Sequence, residues 1–256
     1  MQLNDFFSMN PRFAVAFSGG VDSSYLLYAA KAAGCDVGAY FIRSQFQPGF
    51  ELEDVMRLAE TIDVPLTVGT LDILRNRNIA ENQPDRCYFC KTAIMSELWT
   101  LIRADGYTVL CDGTNADDLE TDRPGMRALR ELGVLSPLCE YGLTKANIRR
   151  LSEQAGLFTH DKPSYSCLAT RVPTGTAITE RLLEKIERAE KKLFDMAFSD
   201  FRVRIMIQGD RSDTSPVWAC LQVPAGQWDD AAAQRAEILA ALKLDFDTVV
   251  LDLNHR

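Results

Sequence analysis

The amino-acid sequence predicts an α/β protein, with a parallel, doubly wound sheet in the first part of the chain and a smaller α+β domain after it. Short apolar runs alternate with helical patterns up to about residue 170, which is typical of a parallel sheet covered by helices on both faces. Beyond that point the order of elements changes. Of the 256 residues, 46% are hydrophobic and 25% are charged, as in a globular protein with a core. We therefore predict two domains, residues 1–170 and residues 171–256.

Strand and helix patterns follow each other closely in the first domain. Residues 13–17 (FAVAF) are uniformly apolar and predict a buried strand, and residues 23–33 predict a helix that ends at Gly34. Further strands are expected at 36–42, 65–71 and 107–115, and further helices at 51–62 and 92–105. In such a sheet, ligands bind beyond the carboxyl ends of the strands.

The second domain begins with an amphipathic helix, whose apolar residues recur at helical spacing from Leu182 to Met196. Strand, strand, helix and strand patterns follow it at 202–208, 217–223, 229–242 and 248–253. The segment between the domains, residues 162–176 (KPSYSCLATRVPTGT), is rich in Pro, Gly, Ser and Thr and predicts a hinge.

Charge and targeting signals narrow the classes of function. A formal net charge of -8 argues against a surface that binds nucleic-acid phosphates along its length. It does not argue against a small basic pocket. The N-terminus lacks the pattern of a signal peptide, and no apolar run approaches the roughly 20 residues of a membrane span, so we expect a cytoplasmic protein. Seven cysteines without a secretion signal predict reduced thiols or a metal site, and two histidines leave little room for imidazole-based catalysis.

The turn after the first strand, SGGVDSS at residues 18–24, predicts a phosphate-binding site. A strand that ends here and enters a helix places backbone N–H groups and the positive end of the helix dipole around one concavity. Glycines let the backbone approach an oxyanion, hydroxyls donate to it, and the carboxylate is a candidate ligand for Mg²⁺. The residues assigned to this site are Ser18, Gly19, Gly20, Asp22 and Ser23. Because the turn lacks the Gly-Lys-Ser/Thr ending of a Walker A loop, cleavage between the β- and γ-phosphates is not implied.

A second polar turn, DGTNADD at residues 112–118, follows the last strand of the first domain and belongs at the same edge of the sheet. The residues assigned to nucleotide or magnesium binding here are Asp112, Gly113 and Asn115. Asp118 is a weaker candidate for a second metal ligand, because acids in turns usually only cap or solvate. Arg123 and Arg127 further along either meet an anionic substrate or are surface charges.

Three of the seven cysteines are candidates for sulfur or metal chemistry. Cys87 and Cys90 in RCYFCK are close enough to bind one metal centre together, with simple packing of a turn as the alternative. Cys167 in KPSYSCLATR has Arg171 four residues later to stabilise a thiolate, and it is the best nucleophile candidate. Together the three thiolates match the ligand set of a 4Fe-4S cluster with one iron left open. The remaining cysteines are expected to be inert thiols in or beside apolar segments: Cys35, Cys111, Cys139 and Cys220.

Two arginines in the second domain form a candidate phosphate clamp. Alternation in FRVRIMIQ turns Val203, Ile205 and Ile207 inward and places Arg202 and Arg204 on the opposite face. Arginine suits phosphate because its guanidinium is always charged and donates two parallel hydrogen bonds. The alternative is that both arginines lie on the solvated face of an edge strand.

These motifs resemble those of known enzymes. SGGVDS resembles the pyrophosphate-binding loop of the adenine nucleotide α-hydrolase (PP-loop) superfamily, whose enzymes split ATP into AMP and pyrophosphate while they adenylate a carboxyl or carbonyl oxygen. Together with RCYFCK, DGTNADD, RPGMRALRELGVLSPL and KPSYSCLATR, it makes nearly the full chain similar to the LarE family, the ATP-dependent sulfur transferases of the nickel-pincer nucleotide pathway. The resemblance implies that the first domain binds ATP with Mg²⁺, and that the second binds substrate and transfers sulfur.

The resemblance also implies a reaction. Family members adenylate the carboxylates of pyridinium-3,5-biscarboxylic acid mononucleotide and convert them into thiocarboxylates, which later bind nickel in lactate racemase. In one branch the cysteine matching Cys167 gives up its own sulfur and becomes dehydroalanine, whereas in the other branch three cysteines hold a 4Fe-4S cluster. The presence of Cys87 and Cys90 favours the cluster branch. The family also implies a homo-oligomer, a hexamer. The residues it assigns to the substrate phosphate are Arg202, Arg204 and Glu190.

Two other functions stay open. A tRNA thiolase of the PP-loop type also joins this ATP loop to cysteines, but the negative net charge and the absence of a basic RNA-binding extension argue against it. A non-catalytic module that binds ATP or AMP is the second alternative, against which the intact Asp22 and the three cysteines argue. We expect a small-molecule substrate, with neither nucleic acid nor membrane as a partner.

Overall fold

The computed structural model describes residues 3–120, 124–207 and 215–254. It divides the chain into two compact units. The first unit comprises Met1–Ile73 and Asp85–Lys162, and the second comprises Leu74–Pro84 and Pro163–Arg256.

Helices and strands alternate through the first unit and then regroup in the second. In chain order, the elements up to residue 111 are α1 (Leu3–Met9), β1 (Arg12–Ala16), α2 (Val21–Ala32), β2 (Asp36–Arg43), α3 (Gly49–Ile62), β3 (Leu66–Thr70), α4 (Arg77–Ala80), α5 (Arg86–Ala104) and β4 (Leu110–Cys111). The later elements are α6 (Pro124–Glu131), α7 (Pro137–Glu140), α8 (Lys145–Gln154), α9 (Glu180–Asp195), β5 (Arg202–Ile207), β6 (Val217–Gln222), α10 (Trp228–Ala233), α11 (Arg235–Leu242) and β7 (Thr248–Leu251).

The sheet of the first unit has the strand order β3-β2-β1-β4, and all its neighbouring strands are parallel. Ala14 on the central strand β1 lies opposite Gly38 on one side and Leu110 on the other. From β1 the chain adds β2 and β3 in one direction and β4 in the other. The carboxyl ends of β1 and β4 therefore flank the point where the strand order reverses, which is where open α/β sheets bind ligands.

Helices cover both faces of this sheet. Successive residues of a strand point to opposite faces, and in these strands the residues on both faces are apolar and need to be covered. Phe13 and Val15 pack in one apolar cluster with residues of α1, α2, α3 and α8. Ala14 and Tyr40 belong to a second cluster with residues of α5 and α6. The predicted doubly wound parallel sheet is confirmed.

The second unit is an α+β structure, as predicted. Its sheet has the order β5-β6-β7, with β5 antiparallel and β7 parallel to the central strand β6. The amphipathic helix α9 buries Leu183, Ile186 and Leu193. No helix among residues 3–120, 124–207 and 215–254 is long and apolar enough to cross a membrane.

The compact units differ from the predicted domain ranges, 1–170 and 171–256, which stay predictions about domains. Residues 74–84 join the second unit because their backbone pairs with a later segment. The N–H of Gly175 donates to the carbonyl of Asn82 at 2.8 Å, and the N–H of Ile178 donates to the carbonyl of Ala80 at 2.7 Å.

Several elements differ in extent from the sequence prediction. The strand expected at 107–115 shortens to β4, because the Asp112 carboxylate accepts the backbone N–H of Thr114 at 3.2 Å and so turns the chain out of the sheet. The helix expected at 229–242 is two helices that meet at Gln234. The helices that were not predicted are α1, α4, α6, α7 and α8, and Arg123 lies outside the described residues.

Candidate active site

Gly19 shapes the turn after β1. Its φ of +69° lies in the left-handed region that L side chains rarely adopt. A Cβ at this position would also lie 2.9 Å from Cγ2 of Val55 on α3. Glycine is therefore required here by both backbone conformation and space.

The beginning of α2 is suited to an anion. Gly20 is its N-cap and supplies no side-chain hydrogen bond to the first turn. The serine hydroxyls instead fix the turn itself, since Ser18 Oγ lies 3.2 Å from Ser23 Oγ and Ser24 Oγ donates to the Gly20 carbonyl at 2.8 Å. Backbone N–H groups and the helix dipole at such an end attract phosphate.

Gly113 lets the second polar turn approach this helix closely. A Cβ on Gly113 would lie 2.7 Å from the backbone nitrogen of Ser23 and 3.0 Å from its Cα. Both turns follow parallel strands that pair with each other, β1 and β4. The structure thus brings together the two turns that the sequence assigned to nucleotide binding.

Asp112 and Asn115 shape the second turn from inside. Asp112 is buried and accepts hydrogen bonds from the hydroxyls of Thr114 at 2.6 Å and Ser136 at 2.7 Å. Asn115 is also buried, and its Oδ1 accepts the backbone N–H of Asp117 at 2.9 Å. The oxygens of these two side chains are thus used to hold the turn, and their assignment to nucleotide binding stays a prediction.

Asp22 has one paired and one unpaired carboxylate oxygen. Its Oδ2 accepts a short hydrogen bond from Nζ of Lys145, at the start of α8. Its Oδ1 is buried and has no hydrogen-bond partner among the described residues. Burial raises the pKa of the Asp22 carboxyl, and the neighbouring Lys145 opposes this shift. A buried oxygen without a donor suits a divalent cation, so Asp22 fits the predicted role of a Mg²⁺ ligand.

A cavity of about 380 Å³ opens beside the two turns. Ser18, Gly113 and Asp118 line it at the polar end. The apolar part of its wall comes from β2, α5 and α6, through residues that include Tyr40, Ile42, Met95, Leu98 and Leu129. A polar end against phosphate-binding turns and an apolar wall are the features expected of a nucleotide pocket.

Cys87 and Cys90 lie three residues apart on α5, so they share one face of the helix. Cys87 is exposed and Cys90 is partly buried. Nη2 of the buried Arg86 lies 3.7 Å from the sulfur of Cys87.

Cys167 lies in the second unit, at the N-cap of a 3₁₀ turn over Leu168–Arg171, and is partly exposed. Arg171 fixes this segment from inside. Its Nη1 donates to the Ser166 carbonyl at 3.0 Å and to the Thr170 hydroxyl at 2.7 Å. The side chain of Arg171 is fully buried and forms two hydrogen bonds with the Glu190 carboxylate, at 2.8 and 3.1 Å.

The three residues assigned to substrate phosphate surround the same segment. Arg202 is buried and donates to the Ser164 carbonyl at 2.6 Å, whereas Arg204 is exposed and donates to the Thr170 carbonyl at 2.5 Å. Glu190 is buried against Arg171 and also accepts the backbone N–H of Val203 at 2.9 Å. The structure thus uses these side chains to position the segment around Cys167, and their role toward a phosphate stays a prediction.

The other cysteines lie in poorly reactive environments. Cys35 and Cys111 are buried, and Cys139 and Cys220 are partly buried. Burial raises the pKa of all four thiols. Within the described part of the chain, no group of three or more His, Cys, Asp or Glu side chains is arranged to hold a metal ion.

Comparisons with known proteins bear on the function. No family model matches the chain. It is 36% identical to an uncharacterized protein of Synechocystis over 79% of this chain and 76% of the relative. It is 33% identical to the pyridinium-3,5-bisthiocarboxylic acid mononucleotide synthase of Lactiplantibacillus plantarum, over 75% of this chain and 71% of the relative. The chain belongs to the LarE family, that of this synthase.

A more distant relative of this chain supports the superfamily. A tRNA-specific 2-thiouridylase of Pseudothermotoga lettingae is 27% identical over 59% of the chain and 54% of the relative's length. The predicted PP-loop fold and the predicted ATP-dependent sulfur transferase are confirmed at the level of the family.

Lys145 was not predicted as a site residue. The start of its helix could have been predicted, because Thr144 precedes it as the N-cap of α8. The Thr144 hydroxyl accepts the backbone N–H of Asn147 at 3.3 Å. A threonine before the helical pattern of residues 145–154 is a usual helix start. The ion pair with Asp22 could not be predicted, since the two residues are 123 positions apart.

Proposed function

We propose that this LarE-family protein adenylates the carboxylates of pyridinium-3,5-biscarboxylic acid mononucleotide with ATP and converts them into thiocarboxylates. The synthase from Lactiplantibacillus plantarum bears the name of the corresponding product. The observation that carries the proposal is the anion cradle at the start of α2, where Gly19 and Gly113 bring two turns together.

The first half of the reaction uses this cradle. A carboxylate oxygen of the substrate attacks the α-phosphorus of ATP, the bond to the β-phosphate oxygen breaks, and pyrophosphate leaves. The backbone N–H groups of α2 stabilise the charge on the leaving pyrophosphate. Mg²⁺ held by Asp22 would neutralise further phosphate charge.

The second half needs a sulfur nucleophile. We assign sulfur delivery to the site around Cys167, because this residue is partly exposed and lies in a segment held by Arg171, Arg202 and Arg204. A sulfide delivered at this site would add to the adenylated carbonyl carbon, AMP would leave with the former carboxylate oxygen, and the carbon would keep the sulfur as a thiocarboxylate. Cys87 and Cys90 would join Cys167 as ligands of a 4Fe-4S cluster, which would carry a sulfide to be transferred.

Binding of the substrate phosphate is assigned to the second unit. Arg204 is exposed on β5 and Arg202 lies two residues before it, so both side chains belong to one face of the strand. Glu190 would support this face through Arg171 and the β5 backbone. We further propose a cytoplasmic homo-oligomer, as in the hexamers of the family.

Product analysis tests this function. The wild-type protein is incubated with ATP, MgCl₂, a sulfide source and pyridinium-3,5-biscarboxylic acid mononucleotide, and the products are separated and weighed by mass spectrometry. We expect AMP together with a pyridinium product in which sulfur has replaced carboxylate oxygen. ATP consumption that does not depend on the pyridinium compound would contradict the proposed substrate.

Metal analysis tests the cluster. After anaerobic purification, we expect iron and acid-labile sulfide in the wild type and their loss in Cys87→Ala. Cys220→Ala is the matched control, since this partly buried thiol of β6 should leave the iron content unchanged. Absence of iron from the wild-type protein would overturn the proposed cluster. Conversion of Cys167 into dehydroalanine during turnover would then show that the transferred sulfur comes from Cys167 itself.

The similarity to the 2-thiouridylase keeps tRNA thiolation as a second candidate. The net charge of -8 argues against it, because tRNA binding depends on many contacts to phosphates. Binding of labelled tRNA at low ionic strength decides between the two, and we expect none.

A further inference from the structure

The ion pair between Lys145 and Asp22 uses the carboxylate to which the proposed function assigns a metal. Nζ of Lys145 contacts Oδ2 of Asp22, while Oδ1 of the same carboxylate is buried and has no hydrogen-bond partner in the described part of the chain. The side chains of Lys145 and Asp22 are 31% and 18% exposed. Solvent therefore screens this pair only in part.

Lys145 is held in this place by its own helix and by the second polar turn. Its backbone N–H donates to Oδ2 of Asp117 at 2.8 Å, and Thr144 caps the helix that it begins. Farther along α8, Ile148 is fully buried in the same apolar cluster as Leu27 of α2. The lysine is thus aimed at the phosphate-binding turn by packed structure and not by a mobile loop.

A lysine ammonium and a divalent cation on one carboxylate repel each other strongly. Their total charge of +3 lies within a few ångströms of a single negative charge. This repulsion favours release of Nζ when a metal binds at Asp22. An anion at the first turn of α2 would at the same time attract the released ammonium, since Asp22 itself belongs to that turn.

We propose that Lys145 is a positioning residue that neutralises Asp22 in the nucleotide-free protein and exchanges its place for Mg²⁺ when ATP binds. The ammonium then moves from the carboxylate to the phosphates. This exchange couples binding of the metal to binding of ATP. Without ATP the metal competes with Lys145 for Asp22, whereas with ATP the displaced ammonium binds the phosphates. The inference rests on the proposed function for its nucleotide, but not on any step after binding.

Binding of MnCl₂ alone, measured by electron paramagnetic resonance on the full-length protein without nucleotide, tests the exchange. Lys145→Met removes the competing charge, so we expect it to bind Mn²⁺ about tenfold or more tightly than the wild type. Lys145→Arg keeps the charge and should stay within about threefold of the wild type. Asp22→Asn in the Lys145→Met background should abolish the gain.

A matched control comes from Lys162, which forms a comparable half-buried ion pair with Asp54 in the same unit. Lys162→Met should leave Mn²⁺ affinity unchanged. ATP affinity in the presence of Mg²⁺ should fall about tenfold in Lys145→Met and not in Lys162→Met.

Equal or weaker Mn²⁺ binding by Lys145→Met would overturn the exchange, even if the wild type forms AMP. Tighter binding would support it whether or not AMP is formed, so failure of the proposed reaction is recognised separately by product analysis. If Lys145→Met does not fold, Lys145→Gln replaces it with the same expectation.

Discussion

At the scale of single residues, the phosphate-binding turn depends on two positions that only glycine can occupy. Gly19 has a backbone conformation that other residues adopt only with strain, and Gly113 faces the backbone of Ser23 with no room for a Cβ. The sequence already indicated both glycines through their place after apolar strands. It could not indicate that Gly113 lies against Ser23, because that contact depends on the pairing of β1 with β4.

Gly113→Ala should weaken ATP binding. The new Cβ would lie 2.7 Å from the Ser23 nitrogen, so the start of α2 has to move away from its place in the cradle. We expect ATP affinity, measured by calorimetry, to fall at least about tenfold, since loss of one charged hydrogen bond is worth about that much. Gly226→Ala is the control, because a Cβ there meets open space. Unchanged ATP affinity in Gly113→Ala would refute the role of the second turn.

Cysteine reactivity should follow burial. At pH 7.5, limited iodoacetamide treatment of the reduced, metal-free protein should label the exposed Cys87 well before Cys111. Burial raises the pKa of Cys111, which lowers its thiolate fraction at any pH below that pKa, and the buried sulfur is also inaccessible. Peptide mass mapping checks the order of labelling. Early labelling of Cys111 would contradict the burial of β4.

At the scale of elements, apolar periodicity predicted the strands and the main helices, but not what covers them. Val203 and Ile205 are buried on β5 as the alternation required, and Arg202 and Arg204 share the other face. Arg202 is nevertheless buried, because the segment beginning at Ser164 covers it. Such covering by a remote loop leaves no periodic signal in the strand itself.

The helix α9 should depend on one buried carboxylate. Glu190→Gln leaves the buried guanidinium of Arg171 without its counter-charge, and we expect it to lower the free energy of unfolding by about 3 kcal/mol. Glu184→Gln on the same helix removes an exposed pair with Arg188 and should cost less than about 1 kcal/mol. Urea denaturation measures both values. Equal effects of the two substitutions would contradict the anchoring role of Glu190.

At the scale of the whole molecule, the sequence predicted a change of architecture near residue 170, and the structure divides the chain into two units. The membership of residues 74–84 in the second unit was not predictable. It depends on backbone hydrogen bonds from Gly175 and Ile178, far along the chain, and backbone pairing carries no residue-specific signature. The amino-acid composition of residues 74–84 therefore could not indicate that they belong to the second unit.

The central claim is that ATP is cleaved between its α- and β-phosphates by a turn that holds pyrophosphate. The most direct measurement is ³¹P NMR of the phosphorus products formed by the wild-type protein from ATP, Mg²⁺ and the pyridinium dicarboxylate. We predict AMP and pyrophosphate in equal amounts, and neither in Asp22→Asn. Formation of ADP and inorganic phosphate would contradict the account.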